Sequence, residues 1–240
     1  MTFRPAPWLT LFTVLGLIVL VNLGVWQMRR LDWKEDLIET VERRMSSAPV
    51  ALDGALNASS GGAGVAYLPM TASGVYLHDR EQHLFRTRDG APGYEVITPL
   101  RLADGRHVLV NRGFVPQPLK APADRPETLL EGEVNVSGLL LETEQVPAIA
   151  SLFRPANQPE DNLWFVRDIP ALSAAAGVEV QPFVLASNGA EAMGPWPKGG
   201  AARASFPNRH FEYAMTWFGL ALTLVGVYIA FHAKAGRLKM

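Results

Sequence analysis

Two stretches of the chain carry no charge over the length of a membrane crossing. From Trp8 to Trp26 run nineteen residues, WLTLFTVLGLIVLVNLGVW, in which Asn22 is the only strongly polar member. At about 1.5 Å per residue they nearly match a hydrocarbon core of about 30 Å. The run ends in Trp26-Gln27-Met28-Arg29-Arg30 rather than at small residues, so it reads as an uncleaved anchor and not as a signal peptide. From Tyr213 to Phe231 the pattern recurs as YAMTWFGLALTLVGVYIAF, with aromatic residues at both ends and basic residues just beyond. Two transmembrane helices are expected, over 8–26 and 213–231. The competing reading, two core helices of a soluble protein, sits poorly with runs this long and free of charge.

The pattern between them changes period. Lys34 to Met45 places Leu37, Ile38, Val41 and Met45 on one face, which predicts a short amphipathic helix following the first span. Asp53 to Gly64 is small, polar and aperiodic, and reads as a flexible loop. Strand signals then follow at 74–78, 83–88, 94–102, 107–114, 134–141, 163–166 and 183–186. Asp104-Gly105 and Arg88-Asp89-Gly90 are hairpin-turn signals. Pro170 to Ala176 reads as a small helical insertion, and 117–126 and 189–200 as loops rich in proline and glycine. The fold class expected is a membrane protein with two transmembrane α-helices flanking a β-rich extramembrane domain over 27–212, an antiparallel sandwich or barrel with short helices.

Charge settles the orientation only in part. Arg4, Lys234, Arg237 and Lys239 favour cytoplasmic tails over 1–7 and 232–240, whereas Arg29, Arg30 and Lys34 favour the reverse. A loop of about 186 residues translocates largely regardless of its charge, so the tails carry more weight and the central domain is expected on the non-cytoplasmic side. A formal net charge of −1 gives no electrostatic reason to expect a nucleic-acid partner. The absence of cysteine excludes disulfides and thiolate chemistry without fixing the compartment.

No phosphate-binding loop, dinucleotide fingerprint, metalloprotease helix or nucleophile elbow occurs, so no enzyme activity is expected. Among the five histidines, His78 and His83 fall close together in the expected sheet, but surface histidines are commoner than metal pairs. The acidic pairs Glu131/Glu133, Glu142/Glu144 and Glu160/Asp161 read as solvated surface.

Amphipathic residues concentrate where the spans meet the domain. The first junction carries Trp26, Gln27, Arg29 and Arg30; the second carries Arg209, His210, Tyr213 and Trp217. A helix beginning just before Tyr213 would align His210, Tyr213, Ala214, Trp217, Ala221 and Leu224 on one face. Gly16, Gly24, Gly219, Gly226 and Ala230 offer positions where a second helix could approach closely. An imidazole above an apolar, aromatic stripe with guanidinium groups nearby suits a porphyrin and its propionates. The plainer reading has His210 capping its helix and the arginines meeting lipid headgroups.

At these residues the sequence resembles the Surfeit locus family of cytochrome c oxidase assembly proteins. The resemblance rests on Gly24-Val-Trp26-Gln27-Met-Arg29 with Lys34, Gly90-Ala-Pro-Gly93-Tyr through Thr98-Pro99-Leu100, and Leu109 to Pro116. It continues through Asn162-Leu-Trp164-Phe-Val-Arg167-Asp168 and Asn208 to Phe218. It implies an assembly factor for a haem-copper oxidase, partnered by subunit I and by other assembly or haem a synthesis factors. The domain would lie in the periplasm of a bacterial inner membrane, or in the mitochondrial intermembrane space. It further implies haem a as cofactor, with His210 the candidate axial ligand to the iron and Tyr213 and Trp217 beside it. Arg209, Arg29 and Trp26 complete the candidate site. The segment from Asn157 to Asn162 departs from the family pattern. Two alternatives stand beside this reading: a haem-free scaffold for oxidase subunits, and a membrane-anchored enzyme or sensor.

Overall fold

The computed structural model describes residues 2–3, 5–62, 64–192, 194–200 and 208–239. In chain order its elements are β1 (Thr2–Phe3), α1 (Pro7–Met45), α2 (Leu52–Ser60), β2 (Pro69–Tyr76), β3 (Gln82–Arg88), β4 (Ala91–Leu102) and β5 (His107–Pro116). There follow β6 (Val134–Leu141), α3 (Ala148–Ser151), α4 (Ile169–Ala176), β7 (Val184–Ser187), α5 (His210–Lys234) and β8 (Leu238–Lys239). They form two compact units, one built on the terminal helices and one spanning Val41–Ala204.

The expected first span and the amphipathic segment after it are a single helix. With no glycine or proline between Trp26 and Met45, nothing interrupts the backbone ladder, and α1 runs unbroken for 39 residues, about 58 Å. Both α1 and α5 are long and apolar enough to cross a membrane, and only 11% of the apolar window in each is buried. That low burial disfavours the soluble-core reading. Arg4 lies outside the described residues.

In the second unit the strand pairings return on themselves. β2 pairs with β6, β6 with β7, β7 with β5 and β5 with β4, and the last residues of β4, Leu100–Leu102, pair back with Tyr76–Gly74 of β2. The first half of β4 pairs with β3. Such closure leaves few unpaired backbone edges. The β3–β4 turn has Asp89 and Gly90 both at positive φ, 53° and 80°, as its turn signal required. At the β4–β5 turn Gly105 takes φ 87°. One pairing departs from the antiparallel expectation: β5 and β7 run parallel, with Leu109 opposite Val184. The α4 crossover brings β7 back between β5 and β6.

Side chains alternate between two cores. Val108 and Val110 of β5 join Leu100, Leu140, Phe183 and Leu185 on one face, while Leu109 joins Ile97, Trp164, Leu172 and Val184 on the other. Burial on both faces explains why Val108, Leu109 and Val110 are apolar in succession rather than alternating with polar residues. α4 covers the second face. It is capped by the Asp168 carboxylate, which accepts from Ala171 N–H at 3.2 Å, and it ends at Gly177 with φ 64°.

Three further expectations are corrected. The supposed loop at 53–64 is α2 over Leu52–Ser60: Leu52, Ala55 and Leu56 recur at helical spacing and pack on the first core. The segment 163–166 is not a strand. Trp164 makes one bridge beside Leu84, but the N–H groups of Phe165 and Val166 are taken by Asn157 Oδ1 at 2.8 and 2.9 Å, so no ladder extends. The acidic pair Glu142 and Glu144 is structural rather than merely solvated. Glu142 accepts from Val65 N–H at 2.6 Å, and Glu144 pairs with Arg86 at 2.8 Å and Arg154 at 2.5 Å.

A buried charged cluster fastens the 117–130 segment to the sheet. Glu81 accepts from Arg125 and lies 2.9 Å from His83 Nε2 and 3.9 Å from Arg112. Arg125, fully buried, also donates to Leu119 O at 2.9 Å and Thr128 Oγ1 at 3.0 Å. Arg112 donates to Thr128 O and lies over the Tyr76 ring at 4.8 Å. His78 turns instead to Leu130 O at 3.0 Å, so the two histidines serve different partners. Burial works against the Glu81 charge, yet hydrogen bonds from His83 and Arg125 and the charge of Arg125 hold its carboxyl below the usual range. Burial pushes the Tyr76 hydroxyl far above its ordinary value and His78 below its own.

Removing one partner of this cluster strands the other charge. Arg125→Ala should cost about 3–5 kcal/mol in denaturant unfolding of the purified chain, and Glu81→Gln in the same background should recover part of it. Acid should destabilise in two steps. A histidine with a depressed folded pKa loses stability as pH falls below the ordinary 6.5, and a depressed carboxyl loses it as pH falls below the ordinary 4.5. Denaturation midpoints should therefore fall below about pH 6.5 and again below about pH 4.5, the second fall being smaller in Glu81→Gln.

Candidate functional site

The two terminal helices pack antiparallel through small residues on one stripe. A Cβ on Gly24 would lie 2.5 Å from the Phe218 ring, and one on Gly16 would lie 3.0 Å from Leu224. Glycine at these positions lets the backbones approach closely, as helices do where lipid gives no hydrophobic drive to associate. Ala214 and Ala221 of α5 are buried on the same side. Gly219 and Gly226 meet nothing within 4 Å and Ala230 is exposed, so these three expected contact positions face elsewhere.

Polar side chains pin both ends of the pair. At one end the Tyr228 hydroxyl meets Thr10 Oγ1 at 2.7 Å, and Thr10 donates to Ala6 O at 2.9 Å. Buried His232 lies 3.2 Å from Ala6 N–H through Nε2, and its Nδ1 lies 2.9 Å from Tyr228 O. The carbonyl there can only accept, so Nδ1 donates to it while Nε2 accepts from Ala6 N–H. At the other end His210 Nδ1 lies 2.8 Å from Gln27 Oε1.

His210 is the first residue of α5 and is half-buried, with its backbone N–H directed to Asn208 Oδ1 at 3.4 Å. Its ring therefore spans to the other helix rather than capping its own. Among the described residues its Nε2 has no hydrogen-bond partner. Trp217, two turns on, is half-buried, whereas Tyr213 is 54% exposed. The expected face therefore holds for His210, Ala214, Trp217, Ala221 and Leu224, with Tyr213 turned outward at its margin.

The remaining expected residues lie at the same level of the pair but outside the packed stripe. Arg209 adjoins His210 and is exposed. Trp26 and Arg29 flank Gln27 and are exposed, and at about 100° per residue Arg29 points about 200° round the helix from Gln27. Arg30 lies over the Trp33 ring at 4.3 Å. No group of three or more His, Cys, Asp or Glu side chains that could hold a bare metal ion occurs among the described residues. His210, anchored to Gln27 through Nδ1 and with no partner at Nε2 among the described residues, offers the kind of protein nitrogen that a haem iron takes as a ligand.

Sequence reasoning assigned no part to Gln27 beyond motif membership. Its signal was its spacing: it follows Gly24 by three residues and so stands on the same stripe.

These features define a class of protein, a sheet-rich domain flanked by two helices of membrane-crossing length and apolarity. The SURF1 family model matches residues 14–222. A SURF1-like protein of Monosiga brevicollis is 33% identical over 233 residues, covering 91% of this chain and 85% of its own length. Surfeit locus protein 1 of Homo sapiens is 32% identical over 219 residues, covering 83% and 69%. The chain belongs to the SURF1 family.

The helix contact can be measured directly. Because the chain has no cysteine, nitroxide labels at Val21→Cys and Leu222→Cys report the spacing of the pair. Gly24→Leu should lengthen and broaden that distance, while Gly226→Leu, which meets open space, should leave it unchanged.

Proposed function

We propose that this chain is an assembly factor for haem-copper cytochrome c oxidase that binds haem a and assists its delivery to, or retention in, subunit I. The observation carrying the cofactor reading is His210, an imidazole at the start of an apolar helix, held through Nδ1 and with no partner at Nε2 among the described residues. His210 Nε2 would hold the iron, Trp217 on the same face and Tyr213 at its margin would stand beside the ring, and Arg209, the nearest guanidinium in sequence, would meet a propionate. Arg29 and Trp26 stand at the same level of α1 but outside the packed stripe, and no part in holding the haem is proposed for them. When bound, haem a would supply a redox-active iron that a histidine nitrogen can hold. The protein's work is to bind, orient and hand over, with the iron–histidine coordination bond released on transfer and no covalent bond of the porphyrin changed.

In this reading α1 and α5 span the inner membrane of a bacterium, the tails are cytoplasmic and the central domain is periplasmic. The partners are subunit I, other assembly or haem a synthesis factors, and membrane lipid. Nucleic acid is not among them.

One observation favours a second reading, a scaffold that holds oxidase subunits without haem. Ile149, Leu152 and Phe153, at and beside α3, are 77%, 79% and 85% exposed, three large apolar side chains close together in sequence that a protein partner would cover.

The two separate cleanly. Protein purified in detergent after co-expression with haem a synthesis should carry haem a absorbance, and His210→Ala should lose or shift it. A purified protein that never carries haem a sinks the cofactor reading. Crosslinking to subunit I that survives His210→Ala but is lost in Leu152→Asp/Phe153→Asp supports the scaffold.

A further inference from the structure

We infer that Gln27 is the positioning residue for His210, fixing which imidazole nitrogen is presented and how strongly it ligates. The inference rests on the haem reading above, but its first consequence is visible in the haem-free protein.

A neutral imidazole has one N–H donor and one acceptor nitrogen. Gln27 Oε1, an acceptor, stands 2.8 Å from His210 Nδ1, so Nδ1 carries a proton and, of the two neutral tautomers, the contact selects the one whose lone pair lies on Nε2. No other side chain among the described residues contacts the ring by a hydrogen bond, while Asn208 holds only the backbone of the same residue. Arg29, two residues from Gln27, lies too far round the helix to substitute for it.

Backbone packing sets this contact. Gly24, one turn before Gln27, admits the Phe218 ring where any Cβ would collide, and this close approach lies between the Gln27–His210 contact and the Gly16–Leu224 contact along the same seam. Close packing at one turn becomes orientation of an imidazole at the next.

The chemistry of the partner matters as much as its place. Groups that accept from the second nitrogen of a metal-bound histidine orient the ring and raise its basicity, and carboxylates are frequent in that position. An uncharged amide orients the ring without drawing its proton away. Gln27 therefore makes His210 an oriented ligand of moderate strength, as suits a protein that must give its haem up.

The test uses the full chain in detergent. With 15N-labelled histidine, haem-free wild-type protein should show His210 as the Nδ1–H tautomer, and Gln27→Leu should show a mixture. Haem a affinity should fall about 10- to 100-fold in Gln27→Leu. Gln27→Glu should restore the tautomer, bind haem a more tightly than wild type and lower its reduction potential. The nitroxide distance across α1 and α5 should stay unchanged in both variants, separating positioning from folding.

An Nε2–H tautomer in the wild-type protein overturns the inference without any variant. So does Gln27→Leu with unaltered haem a affinity and spectrum, provided that His210→Ala abolishes or shifts the spectrum. If His210→Ala leaves haem a binding intact, the proposed ligand itself fails, whatever Gln27 does.

Discussion

The close approach of α1 and α5 at Gly24 is the constraint on which the candidate site depends. A glycine at that turn removes the Cβ that would meet Phe218, and the two backbones can then share a narrow seam. Hydrogen bonds at either end of the seam, Gln27 to His210 and Thr10 to Tyr228, fix the register that the small residues permit. Without that approach His210 would be one more interfacial histidine. With it, one ring nitrogen is anchored, and the other has no partner among the described residues.

The sheet-rich unit solves a different problem, which is to remain ordered while containing several buried charges. Strand pairings that return from β4 to β2 remove most open edges, and α2 and α4 complete the two cores. The Glu81, Arg112 and Arg125 cluster then ties the proline-rich 117–130 segment down with charge-assisted bonds that would be costly to leave half made. Burial and pairing pull the Glu81 carboxyl in opposite directions, and pairing prevails.

Much of this was legible in the residues, and the failures have physical causes. Length and absence of charge gave both apolar helices, and turn residues at Asp89-Gly90 and Asp104-Gly105 gave the hairpins around β4. α2 was missed because its polar, small-residue composition resembles a loop, and only tertiary packing of Leu52, Ala55 and Leu56 makes it a helix. The parallel β5–β7 pair was invisible because strand signals carry no direction. Leu163 to Val166 has strand composition, but Asn157, several residues away, takes the N–H groups a ladder would need. At the site, His210 and Trp217 were read from helical spacing. The outward turn of Tyr213 and Arg29 and the partnership of Gln27 depended on which face α1 offers to α5, and neither helix shows that alone.

A haem carrier built this way would hold its cargo through one imidazole whose direction is set by a neutral amide on the neighbouring helix. The most direct test is pulsed electron paramagnetic resonance of haem a-loaded protein carrying 15N-labelled histidine. The account expects a histidine nitrogen coupled to the iron that disappears in His210→Ala. Haem a bound with no coupled histidine nitrogen, or with coupling that survives His210→Ala, would contradict it.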